Sequence, residues 1–152
     1  GSLHDKLSIL GRNLILKVLP QIISNNITLT KQNESEATYG YNITREDEHV
    51  DFSESNREIV NKIRGLNPWP GAYSILNGRI VKLWNSKKGL NINMNAVNGE
   101  VIALYDDGIG IKCENGEVII TELQLEGRKR MSASEFMNGA VNKELLVGRI
   151  FE

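Results

Sequence analysis

Reactive and structural side chains are scarce in this sequence: one cysteine and two histidines among 152 residues. Cys113 has no internal disulfide partner, and a single thiol with His4 and His49 far apart makes no zinc-ligand spacing, so no metal site is expected. No run approaches the roughly 18 apolar residues of a membrane span. A basic, cleavable leader is missing as well, and with the lone thiol this is expected of a chain kept in a reducing cytoplasm. The chain begins Gly1-Ser2 with no initial methionine, as expected of a piece trimmed from a longer protein. Net charge is only −1: residues 1–61 hold six Lys or Arg against nine Asp or Glu, a balance of −3, and residues 62–152 hold twelve against ten, a balance of +2. So mild an asymmetry admits a nucleic-acid partner without requiring one. Catalysis has little to work with, because hydrolysis or group transfer needs a nucleophile with its base, paired carboxylates or a metal cluster. His4 falls on a surface helix and His49 in a polar stretch, and Gly108-Ile109-Gly110 precedes no helix, so it is a hairpin and not a phosphate loop. Cys113, among β-forming residues, reads as a small buried hydrophobe. No catalytic residue is expected in this chain.

What the sequence does have is the run IRGLNPWPGAY at residues 63–73. Before it, Ile59, Val60, Ile63 and Leu66 share one helical face, and after it the period changes to that of strands. Pro68 and Pro70 fix φ and lack donors, so the helix must stop, while Gly71 permits an unusual backbone angle or a close approach. Trp69 between the two prolines is a large apolar surface on a stiff segment. It is expected to be buried in the seam between helix and sheet, with direct ligand contact as the alternative.

Around this hinge the chain reads as follows. Leu3, Leu7, Leu10, Leu14, Val18 and Ile22 form an apolar stripe on a helix, with Ser2 and Asp5 placed to cap its start, Pro20 marking its end and Gly11 implying close packing. Residues 24–50 read as a polar linker with a short extended piece at 39–43 and an acidic run, Glu46 to Glu48, that is a solvated face or helix start and not a metal site. Ser55 and Glu58 make a capping box for the helix leading into the hinge. Strands are expected at 72–76 and 79–84 around an Asn77-Gly78 type I′ turn, then at 101–104, 109–113 and 118–125, with a long loop over 86–98. Ser132 and Glu135 cap a last helix that Gly139 ends. The fold class is mainly β (α+β): a small, open Greek-key β-barrel of the OB-like type over residues 51–152, with flanking helices.

The strings NPWPGAY, NGRIVKLW and LQLEGRKRMSASEFMNG resemble the C-terminal domain of methionyl-tRNA formyltransferases over residues 3–139. That resemblance implies that residues 1–23 are the last helix of an absent catalytic domain, which carries the Asn, His and Asp of catalysis and the site for the formyl donor, formyltetrahydrofolate. The partners it implies are initiator methionyl-tRNA and that catalytic domain. An orphaned helix stripe is expected to cover itself with a second copy or with its own barrel. It carries over a set of basic positions: Lys82, Arg128, Lys129 and Arg130 match in charge, Arg64 matches within IRGLNPWPG, and Arg45 stands where relatives have lysine. Asn42 departs from a usual lysine. For Arg128 to Arg130 the alternative is a solvated loop, and for Arg64 a carbonyl cap or a carboxylate pair. A related formyltransferase acting on an amino sugar nucleotide, a formyltetrahydrofolate dehydrogenase, or a free-standing binding module are the competing readings.

Overall fold

Aliphatic residues at steps of three and four do form helix α1, Ser2–Ile23. The computed structural model describes residues 1–90, 95–139 and 143–152. It separates into two units, Gly1–Asn42 and Ile43–Glu152. In the first unit, α1 departs from expectation at both ends. Its N-cap is Gly1 with no side-chain cap, so Ser2 and Asp5 do not serve as one, and the helix runs through Pro20 to Ile23. A proline so near the end removes one N–H, while the carbonyl of Pro20 still accepts from Ser24 N at 3.0 Å. No α1 residue is buried, and a Cβ on Gly11 would meet nothing within 4 Å, so its expected close packing is not found. Residues 39–43 form no strand: they straddle the boundary between the two units and pair with no sheet edge. The segment is irregular apart from a 3₁₀ turn at Glu34–Glu36, where Asn33 accepts from Ser35 N.

The second unit carries α2 (Asn56–Leu66), β1 (Ala72–Leu76), β2 (Arg79–Gly89), β3 (Val101–Tyr105), β4 (Gly108–Cys113), β5 (Gly116–Leu125), β6 (Met131–Ser132) and α3 (Ala133–Gly139). The capping box at α2 is complete, and Ser132 with Glu135 makes the same reciprocal pair before α3. The Asn77-Gly78 turn has φ of 52° and 72°, the two positive values that a type I′ hairpin needs. Strand β2 reaches Gly89, so part of the expected loop over 86–98 is strand instead. Its Asn-Lys composition reads as loop only because those side chains face outward while the backbone pairs with β5. Residues 91–94 of that expected loop lie outside the described residues.

The six strands run β1-β2-β5-β4-β3, all antiparallel, with the short β6 beside β5. Strands β3, β4 and β5 form a meander whose last member returns beside β2, a Greek key. The sheet is open, because its edge strands β1 and β3 do not pair with each other. The C-terminal residues reach both edges instead: Glu152 N donates to Ile75 O at 2.9 Å, and Val101 N donates to Arg149 O at 2.8 Å. Phe151 between them enters the core. That core is continuous, with Ile59, Ile63 and Leu66 of α2 packed with Ala72, Val81, Leu83, Ile109, Ile111, Val118, Ile120 and Leu123 from the sheet. Each of these side chains larger than alanine contributes on the order of 1.5–3 kcal/mol by leaving water. Val50 and Phe52 join it, so the chain from 43 onward belongs with the barrel-like unit although its composition is polar.

Candidate nucleic-acid interface

Alternation along β2 sends Val81 and Leu83 into the core and leaves Lys82 and Trp84 on the opposite, outer face. The two-residue hairpin sets Tyr73 opposite Lys82, and β5 sets Gln124 opposite Lys82 on its other side. Tyr73, Lys82 and Gln124 thus form a row across three strands. Trp84 sits at a bulge: Leu83 pairs with Leu123 and Asn85 with Glu122, leaving Trp84 as the extra residue. Such an insertion re-aims its side chain.

The row is tied together by hydrogen bonds. Lys82 Nζ donates to Pro70 O at 3.0 Å, and Trp84 Nε1 donates to Gln124 Oε1 at 3.1 Å. Gln124 Nε2 donates in turn to Arg128 O at 2.8 Å, anchoring the turn at Gly127 (φ 72°) that presents Arg128 and Lys129. Arg130 folds back over the Trp84 ring, 4.9 Å from its centroid, and makes a forked ion pair with Glu122. The hydrogen bonds to Glu122 push the Arg130 pKa up from its already high ordinary value. Arg45 joins from the side: its guanidinium lies 3.9 Å from the Tyr73 centroid and 2.5 Å from a carboxylate oxygen of Glu48. A shallow depression of ≈ 270 Å³, lined by Ile80, Lys82, Gln124, Leu125, Glu126 and Gly127, opens beside the row. That is below the ~300–1,000 Å³ of ordinary small-ligand sites, so an extended partner suits this face better than an enclosed ligand.

The structure therefore sets Arg45, Lys82 and Arg130 around Tyr73 and Trp84 on one face, and anchors the exposed turn that carries Arg128 and Lys129 to its edge through the Arg128 carbonyl. Arg64 stays apart at the end of α2, exposed, with Nη2 donating to Asn61 Oδ1 at 2.9 Å in place of a carbonyl cap or a carboxylate. Among the described residues, Arg128 and Lys129 have no side-chain partner, whereas Arg45 and Arg130 are ion-paired. A phosphate would have to compete with Glu48 for Arg45 and with Glu122 for Arg130, which makes Arg128 and Lys129 the readier contacts.

Trp69 is the main correction. It is 82 % exposed and does not fill the seam between α2 and the sheet. Ile59, Ile63 and Leu66 already occupy that space, and the rim above Gly71 is taken by Trp84. Gly71 has φ 90°, and a Cβ there would lie 3.0 Å from the Trp84 ring, so both properties expected of this glycine are present. Tyr73 and Trp84 escaped the sequence reading as site residues. The hairpin register would have placed Tyr73 beside Lys82, and period-two spacing would have put Trp84 on the same face. Gln124 and Glu122 needed the long-range β2–β5 pairing.

Other chemistry is sparse on this unit. Burial raises the Cys113 thiol pKa, which disfavours the reactive thiolate. Asp47 accepts from Thr44 N at 2.8 Å, so the acidic run forms a turn. Among the described residues no three His, Cys, Asp or Glu groups are arranged to hold a metal, and no helix is long and apolar enough to cross a membrane.

Known proteins resemble this chain in sequence and in fold. The chain is 47 % identical over 140 residues to a methionyl-tRNA formyltransferase of Bacillus velezensis, and 45 % identical over 140 residues to one of Bacillus thuringiensis. Each match covers 91 % of this chain and 44 % of the relative, so the chain spans less than half the length of these relatives. Among solved structures, HypX from Aquifex aeolicus has the same fold at a TM-score of 0.58 and 23 % identity, covering 82 % of this chain and 23 % of that one. HypX in complex with tetrahydrofolic acid superposes at 0.57. Residues 42–141 match the family model described as formyl transferase, C-terminal domain. The chain belongs to that family.

Proposed function

We propose that this chain is the C-terminal portion of a cytoplasmic methionyl-tRNA formyltransferase, and that its outer sheet face holds the backbone of initiator tRNA during translation initiation. The single observation that carries this reading is the gathering of Arg45, Lys82 and Arg130 on one open face, with the turn of Arg128 and Lys129 anchored at its edge, in a chain 47 % identical to such an enzyme. Cations on a shallow, sequence-indifferent surface suit phosphates, which position a nucleic acid without reading its bases. Arg64, on α2, is the outlying member and would meet the backbone only beyond this face. The identity over nearly the whole chain favours a tRNA enzyme over an amino sugar nucleotide formyltransferase, a formyltetrahydrofolate dehydrogenase or a free-standing module.

The work of this portion is binding and orientation. In the whole enzyme the amino group of methionine on the tRNA is formylated from formyltetrahydrofolate, which acts as a substrate. The donor site and the catalytic residues belong to the N-terminal portion that the relatives carry in addition. The exposed aliphatic stripe of α1 is the surface that portion would cover; without it, a second copy of α1 is the natural cover, measurable by light scattering on dilution. The 152-residue chain alone is expected to formylate nothing when mixed with donor and charged initiator tRNA, and turnover above background would overturn that part of the proposal.

The tRNA reading is tested by titrating labelled initiator tRNA at several salt concentrations. About five phosphate contacts predict a log-log slope near −3 to −5. Replacing Arg128, Lys129 and Arg130 together by alanine should lower affinity and flatten that slope by about 2–3. An unchanged slope would mean that the loop is merely solvated.

A further inference from the structure

Trp69 stands at the tip of a turn that is clamped on both sides. Before it, Asn67 Nδ2 donates to Trp84 O at 2.7 Å. After it, Pro70 O accepts from Lys82 Nζ at 3.0 Å, Gly71 N donates to Leu66 O at 2.9 Å, and Gly71 itself lies under the Trp84 ring. Two flanking prolines restrict the backbone further. The turn is thus fixed to the bulge of β2 while the indole it presents is 82 % exposed. Among the described residues no aromatic or cationic side chain stacks on it.

An isolated exposed apolar residue needs no explanation by itself. This one differs by its setting: the turn that carries the indole is bound by the Lys82 ammonium and, through Gly71, rests against the Trp84 ring that lies under Arg130. Cations that track a phosphate chain combined with an aromatic platform are the two components of single-stranded nucleic-acid sites. The cations alone hold a backbone. An exposed indole adds a surface for the face of a base, and a duplex offers no such face except at its ends.

We propose that Trp69 stacks on an unpaired nucleobase of the tRNA whose backbone runs over the Lys82–Arg130 face. This rests on the tRNA reading above and extends it from phosphates to one base. Because stacking displaces few counterions, Trp69 adds affinity with almost no contribution to the salt slope, which separates it from the basic loop.

The experiment titrates fluorescein-labelled initiator tRNA, and in parallel a fully paired RNA duplex long enough that its two end faces are a negligible share of its binding sites, with the full 152-residue chain and its Trp69→Ala, Trp69→Phe and Trp69→Leu variants. Trp69→Ala should weaken tRNA binding about 5- to 100-fold, the range of one base–aromatic stack, at an unchanged salt slope and with duplex binding unaltered. Trp69→Phe should recover most of the loss and Trp69→Leu little, since leucine is apolar without a π-face. Thermal midpoints within error of wild type would show the variants folded, as expected for a side chain this exposed. Equal affinity of wild type and Trp69→Ala, at a steep salt slope that the triple basic variant flattens, would overturn the stacking role and leave the backbone reading intact. No salt-dependent tRNA binding by the wild-type chain would overturn both. Equal losses on tRNA and duplex would also overturn it, because the contact would then not need an unpaired base.

Discussion

The two faces of β2 are one residue apart and chemically opposite. Val81 and Leu83 are fully buried against α2 and β5, while Lys82 and Trp84 lie outward in a hydrogen-bonded row that ends in the basic loop at 128–130. The same division separates the two tryptophans. Trp84 is half-buried over Gly71 with its indole nitrogen satisfied, and Trp69, fifteen positions earlier by number, projects into solvent. Stability and binding are thus assigned to different faces of the same strand. One face can vary in charge without unfolding the other.

The largest effect should come from the inner face. Leu83→Ala is expected to cost about 2–5 kcal/mol, as large-to-small core changes do, measured by urea denaturation. Lys82→Ala, its outward neighbour, should cost no more than about 1.5 kcal/mol, the worth of one hydrogen bond. Equal losses would erase the distinction between the faces.

Gly71→Ala tests the joint between them. A methyl at φ 90° and 3.0 Å from Trp84 should destabilise by about 1–3 kcal/mol and shift the tryptophan signal in near-ultraviolet circular dichroism. A silent substitution would show that the turn relaxes away from β2 at little cost.

Ser55→Ala removes the α2 cap for about 1 kcal/mol, and its pH dependence has a definite sign. The hydrogen bond from the Ser55 side chain, then that from its backbone, lowers the Glu58 pKa below its ordinary 4.5. A depressed folded-state pKa stabilises fully above the unfolded value and is lost as pH falls through the folded one. The gap between wild type and Ser55→Ala should therefore be widest above pH 4.5 and narrow in more acid solution, as thermal melts across that range would record. A gap that grows on acidification would contradict the capping geometry.

The smallest effect on stability should be that of Trp69→Ala. A buried aromatic would lose about 3–5 kcal/mol, but an exposed one should stay within about 0.5 kcal/mol. Trp84→Ala in the same calorimetric series should lose clearly more. A reversal of that order would mean that the indole at 69 is covered in solution.

Much of this was legible from residue order. Ser55-x-x-Glu58 and Ser132-x-x-Glu135 announce helix starts, and Asn77-Gly78 fixes a hairpin, because each is a local device whose partners lie within three residues. The six-strand count and the length of β2 were less legible. Residues 85–88 pair through their backbones with β5, and backbone pairing leaves no mark on a polar composition. The charges of Lys82 and of Arg128 to Arg130 could be read singly, and their common face only partly, since Gln124 and Glu122 enter through a pairing some forty residues distant.

What the sequence by itself determined are the elements set by nearest neighbours: the caps at Ser55 and Ser132 though not the one expected at Ser2, the Asn77-Gly78 turn, the stop at Pro68 and Pro70, the special backbone of Gly71, and the alternation that divides β2 into two faces. The tertiary structure alone decided where the large side chains go. Trp69 looked like core because it is apolar and stiffly mounted, but three aliphatics of α2 fill the seam first and the bulge at Trp84 takes the place over Gly71. Burial depends on how much room the neighbours leave, and those neighbours come from strands and helices far along the chain.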